Sequence, residues 1–163
     1  MRFDVRQRYA APAADVLAHY ASVEMYESLP EFGRISRPEI LDRIDGGDRV
    51  TVRLRYRFTA DLPAAALAVI DPDRLTWIDE TTYDFGALTS STKLLPDHYP
   101  RKLEASAASQ FRDDSDGCIR EVSGSLRVHV LLVGGQVEKA IVSGLTEHLA
   151  EEQTLVARLL TGG

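Results

Sequence analysis

The segment VHVLLVGGQVEKAI, residues 128–141, decides how this chain folds. An apolar run passes through Gly134-Gly135 into residues that step by three and four: Val137, Ile141, Leu145, Leu149, Glu152, Val156 and Leu159. Val142, Leu155 and Leu160 broaden that stripe while Glu138, Lys139, Glu147 and Glu151 lie on other faces, so the spacing predicts one long amphipathic helix. About 25 residues give it a length of ~38 Å. A strand, a glycine turn and a helix start are also the ingredients of a phosphate site. The Gly-x-x-x-x-Gly-Lys-Ser/Thr spacing is missing, however, and Gly-x-Gly-x-x-Gly occurs nowhere in the chain. The glycine pair therefore reads as a bend, where a chain leaving a sheet to cross its face needs a sharp turn and a close approach.

Upstream the period is two. Phe3, Val5, Gln7 and Tyr9 alternate with Arg2, Asp4, Arg6 and Arg8, the pattern of a half-buried strand over residues 2–9. Pro12 suits the first turn of a helix carrying Val16, Leu17 and Tyr20, and a second short helix fits residues 24–29 before Pro30. Alternation returns at residue 35. It is clearest where Val50, Val52, Leu54, Tyr56 and Phe58 alternate with Arg49, Thr51, Arg53, Arg55 and Arg57, after a hairpin turn at Asp45-Gly46-Gly47-Asp48. Residues 75–84, 87–95, 102–112 and 118–130 continue an antiparallel meander with short connections. Residues 64–71, between Pro63 and Pro72, carry alanines that favour helix but have the length of a strand; they are read as a strand.

A length of 163 residues suits one domain, residues 1–163, around a single core. Hydrophobic residues at 44% and charged residues at 27% are ordinary globular values. The formal charge of −6 argues against a nucleic-acid partner, because backbone binding is driven by Lys and Arg displacing counterions. The apolar runs fall short of the ~20 residues of a membrane helix, and residues 1–9 lack the apolar core of a signal peptide. The expectation is a cytoplasmic protein without stable membrane insertion. The single cysteine, Cys118, falls in a strand and reads as a free, buried thiol.

The element order is α+β: a first strand, two short helices, an antiparallel meander and a long C-terminal helix, with a curved six- to seven-stranded sheet wrapped on that helix. With the strand-to-helix entry Tyr9-Ala10-Ala11-Pro12-Ala13-Ala14-Asp15-Val16 and the closing segment 128–135, this order resembles the helix-grip fold of the START-like (SRPBCC) superfamily. That superfamily includes plant pathogenesis-related proteins, polyketide cyclases and lipid-transfer domains. The chain is most similar to an uncharacterised bacterial branch, a domain of unknown function in which a terminal strand runs through a Val-Gly-Gly turn into the last helix. The resemblance implies a hydrophobic small molecule, a lipid or an aromatic metabolite, held between sheet and helix. The plant members carry a longer glycine-rich loop where Asp45–Asp48 stands here.

Inward positions of the meander mix bulky Val52, Leu54, Tyr56 and Trp77 with small or hydroxylated Ser90, Thr92, Ala105 and Ala107. Facing them from the helix are Ile141, Leu145 and His148. Together these are the candidate ligand-binding residues around a cavity of ~300 Å³ or more, with Tyr56 and Trp77 placed to stack on the ligand. No Gly-x-Ser-x-Gly elbow marks a nucleophile. His19, His98, His129 and His148 show no metal-ligand spacing, so neither a metal nor another cofactor is expected. The alternative is an enzyme similar to the cyclase and dehydratase members, with Tyr56, Tyr83 or His148 as general acid or base. Finally, Arg49, Arg53, Arg55 and Arg57 form a basic row. Acidic residues on neighbouring strands, Glu80 or Glu121 for example, would balance it; otherwise it offers a face to an acidic protein partner.

Overall fold

Where the sequence alternates the chain is extended, and where apolar residues step by three and four it is helical. The structure is a computed structural model and describes residues 1–162. Its elements are β1 (Arg2–Tyr9), α1 (Ala13–Tyr20), α2 (Val23–Glu27), β2 (Glu39–Asp45), β3 (Arg49–Arg57), α3 (Ala64–Leu67), β4 (Thr76–Asp84), β5 (Thr89–Pro96), β6 (Leu103–Asp114), β7 (Gly117–Val128) and α4 (Gly134–Leu160). The strands make one seven-stranded antiparallel sheet in the order β1-β7-β6-β5-β4-β3-β2. This is the α+β helix-grip architecture.

The topology follows from hairpins plus one closure. Consecutive strands β2 to β7 are neighbours, joined by short connections except between β3 and β4, where residues 58–75 carry α3, and β1 then pairs with β7, from Arg2 opposite Ser125 to Tyr9 opposite Cys118. Helix α4 lies over β1 and β7, α1 over β6 and β7, and α2 against β2. The sheet face they cover carries the core, including Val50, Val52, Leu126, Phe111 and, from the helices, Val16, Leu17 and Val137. Side chains pin these elements to one another. The Ala13 N–H at the start of α1 donates to Asp113 Oδ1 of β6 at 2.7 Å, satisfying an amide that the helix cannot bond internally. Glu138 Oε1 likewise accepts from the Val128 N–H at 2.8 Å, joining the end of β7 to the first turns of α4.

Three expectations change. Residues 64–71 do not form a strand: Ala64–Leu67 is a single helical turn, so the local preference of alanine prevails between the two prolines. Ile35 touches Phe58 through an isolated bridge only, and β2 begins at Glu39 with a bulge between Ile40 and Asp42. The glycine pair is also divided in its work. The left-handed residue of the turn is Leu132, at φ 70°. Gly134 already belongs to α4, and a Cβ there would stand 2.5 Å from the Val128 carbonyl oxygen, whereas one on Gly135 would meet nothing. Only Gly134 is required, and for closeness rather than for its backbone angles.

Candidate functional site

Inward side chains of five strands leave a partly open cavity beneath α4. Leu54 and Tyr56 of β3, Asp79, Thr81 and Tyr83 of β4, and Thr92 and Leu94 of β5 form one side. Ala105, Ala107 and Ser109 of β6 and Arg120 and Val122 of β7 form the floor. Leu145, His148, Leu149 and Glu152 of α4 close it, with Phe3, Tyr20 and Tyr26 at the margins. The cavity volume is about 120 Å³, well under the ~300 Å³ expected for a lipid-sized ligand. The alanines and hydroxyl residues of β5 and β6 do leave space under the helix, but buried tyrosines occupy part of it.

One end is a closed polar network. Arg120 donates from Nη1 to Gln7 Oε1 at 2.9 Å and to Glu152 Oε1 at 3.2 Å, and from Nε to Ser109 Oγ at 3.3 Å. Its guanidinium carbon also lies 4.1 Å from the centre of the Tyr20 ring. The Tyr20 hydroxyl donates to Glu152 Oε1 at 2.9 Å. With its proton committed there, it accepts from Tyr9 at 2.6 Å. By the same logic Tyr26 donates to the Tyr20 carbonyl at 2.7 Å and accepts from Tyr83 at 3.0 Å. Gln7 completes the tie, donating from Nε2 to the Leu149 carbonyl at 2.7 Å. Burial holds the Tyr20, Tyr26 and Tyr56 hydroxyls well above their ordinary range and pushes Tyr83 up to about 12, so all four remain protonated at neutral pH.

The other end is unsatisfied. Asp79 opens on the cavity between Leu54 and Leu94, its neighbours across the ladder. Burial pushes its pKa up to about 7, opposed by the nearby Trp77 indole and reinforced by the negative charge of Glu152. Trp77 Nε1 itself has no partner at hydrogen-bonding distance, and neither has His148 Nδ1. His148 Nε2 stands 3.7 Å from Glu152 Oε2, and its ring packs edge-on to Phe32 and Tyr56. Burial lowers the His148 pKa more than Glu152 raises it, so the imidazole is neutral near pH 7. Among the described residues no group of three or more His, Cys, Asp or Glu side chains is arranged to hold a metal ion.

A family model described as a protein of unknown function, DUF2505, matches residues 4–160. The chain belongs to the DUF2505 family. No curated protein matches it in sequence. Its fold recurs in TTHA0849 from Thermus thermophilus, at a TM-score of 0.68 and 15% identity over 100% of this chain and 99% of that one. It recurs in protein CC1736 from Caulobacter crescentus, at 0.63 and 15% over the same shares of each chain. A third is the Zhui aromatase/cyclase from Streptomyces sp. R1128, at 0.57 and 16% over 98% of this chain and 94% of that one. At such identities the likeness shows the fold, which is START-like.

Of the residues singled out in the sequence, the DUF2505 chain places Leu54, Tyr56, Thr92, Ala105, Ala107, Leu145 and His148 in the cavity wall. Val52, Trp77, Ser90 and Ile141 do not line it; all four are buried in packing around it. Trp77 stacks behind Tyr56, ring centres 6.1 Å apart, because the two are cross-strand partners. Sequence reasoning missed Asp79, Arg120 and the role of Glu152. The signal was present: Asp79 shares the inward phase of Trp77, Thr81 and Tyr83, Arg120 that of Cys118 and Val122, and Glu152 interrupts the apolar stripe of α4. The arginine row, in contrast, is mostly neutralised. Arg49 pairs with Asp84, Arg53 with Asp42 and Glu80, and Arg55 with Glu39 and Asp97, while Glu121 serves Arg6 and Arg112 instead. No helix among the described residues is long and apolar enough to cross a membrane.

Proposed function

We propose that this chain binds a small, mainly aromatic molecule bearing a polar group in the space between sheet and α4. The observation that carries the reading is a cavity of about 120 Å³ whose wall combines Leu54, Leu94, Val122 and Leu145 with buried polar groups. An apolar cavity of about 150 Å³ takes up benzene, so this smaller space sets an upper limit of one small ring, admitted as the wall relaxes, rather than an acyl chain. Native mass spectrometry of freshly purified protein, with organic extraction of any bound species, tests the proposal. A retained or added single-ring compound supports it. Absence of any bound species, together with no uptake from a panel of phenols, anilines and aryl ketones, would defeat it.

A second reading as an acid–base enzyme is favoured by one observation: Tyr56, Tyr83, His148 and Asp79 share this cavity. A carboxyl that titrates near 7 is suited to exchange protons with a bound substrate at neutral pH. The Zhui relative is by its name an aromatase/cyclase, which directs a search for turnover toward aromatic ketones. Conversion abolished by Asp79→Asn with uptake retained would establish chemistry beyond binding. The arginine row supports a third, protein-binding role less well, since its charges are already paired across the sheet.

A further inference from the structure

The charges around the cavity do not balance. Arg120 is spoken for: Glu152, Gln7 and Ser109 all accept from its guanidinium, and the Tyr20 ring lies against it. His148, from α4, is neutral near pH 7. Tyr56 on β3, Tyr83 on β4, and Tyr20 and Tyr26 on α1 and α2 keep their protons. Asp79 is therefore the one wall group near neutrality whose charge meets no opposite charge, and Glu152 adds to the negative potential it feels. Its flanks, Leu54 and Leu94, offer neither donor nor charge. No cation in this wall is left free to receive an anionic ligand.

We infer that the ligand of this cavity is an arylalkyl amine, its ring against Leu54, Leu94 and Tyr56 and its ammonium group on the Asp79 carboxylate. The fit rests on three features that a neutral or anionic ring would leave unused. A carboxylate in a largely buried wall accepts a charge-assisted hydrogen bond, which is stronger than a neutral one. Tyrosine faces favour a cation beside them. An ammonium group supplies the proton donor that Asp79 lacks, for Trp77 Nε1 makes no hydrogen bond at its present distance. Binding would lower the pKa of Asp79 and release its proton near neutrality, as linkage requires when a ligand prefers the ionised form.

This inference rests on the binding reading above, and three isosteric probes separate the two. Benzylamine, benzyl alcohol and benzoate are titrated calorimetrically into the whole chain at about pH 8, where Asp79 is ionised. Benzylamine is expected to bind about ten-fold or more tightly than benzyl alcohol, and benzoate to bind weakest, on the strength of a charged hydrogen bond. Near about pH 5.5 that advantage should shrink, because Asp79 holds its proton. In Asp79→Asn it should collapse to within about three-fold. Benzyl alcohol binding equal to or tighter than benzylamine overturns the amine assignment and leaves the binding reading standing. A preference that survives Asp79→Asn also overturns it. Failure of benzylamine to bind overturns the amine assignment, whereas the binding reading falls only if the phenols, anilines and aryl ketones also fail and no bound species is extracted.

Discussion

Asp79 and the Arg120–Glu152 pair differ in how they tolerate burial. Arg120 and Glu152 have side chains only 10% and 7% exposed, and each makes several hydrogen bonds. Removing one partner strands the other, so Arg120→Met or Glu152→Gln alone should destabilise by about 3–5 kcal/mol in urea unfolding. Replacing both by apolar residues should recover much of that loss, and a double variant no better than the worse single one would contradict it. Asp79 shows the opposite economy, surviving by keeping its proton. Unfolded, it titrates near 3.8; folded, near 7. Between those values folding takes up a proton, so this residue's contribution to stability falls as pH rises and is fully lost above 7. Asp79→Asn cannot ionise, and its stability gain over the parent should therefore grow from about pH 4 to about pH 8. A gain that shrinks across this range would show that Asp79 is ionised in the fold. Neither behaviour is legible in sequence. Arg120 finds Gln7 at a separation of 113 residues and Glu152 at 32, so its inward position reads as a strand charge until the sheet closes.

Elements were more legible than residues because periodicity is a property of many positions at once. The alternation of Arg49 to Phe58 becomes β3, and the stripe from Val137 to Leu159 lies within the 27 residues of α4. Residues 64–71 were not legible in this way, since a four-residue helix is too short to show a period. The junction of β7 and α4 also needed coordinates. Gly134 and Gly135 look alike in sequence, yet only the first faces a carbonyl at a distance that excludes a methyl group. Gly135→Ala should leave stability unchanged or raise it by up to about 1 kcal/mol, since alanine is the better helix former. Gly134→Ala should lower it, because either β7 or α4 must move. Thermal melts of the two variants decide this, and equal effects would show that closeness at Gly134 is not limiting.

At the scale of the molecule, the sheet order and the covering helix could be read ahead of the structure, and seven of the candidate residues stand in one cavity wall. Its small volume could not, because it depends on the depth to which Tyr56 and Tyr83 reach rather than on which positions face inward. Leu145→Trp should fill the space from the helix side and abolish uptake of single-ring compounds. Unaltered uptake by a folded Leu145→Trp protein would move the binding site elsewhere. The pairing of β1 with β7 has a further consequence, in the order of events during synthesis. Arg2 bonds opposite Ser125 and Tyr9 opposite Cys118. At about 5–20 residues per second, β1 waits roughly 6–25 s after emerging before its partner exists. Through that interval its apolar face, Phe3, Val5 and Tyr9, has no sheet to join, and the alternating Arg2, Asp4, Arg6 and Arg8 are what keep the waiting strand in water.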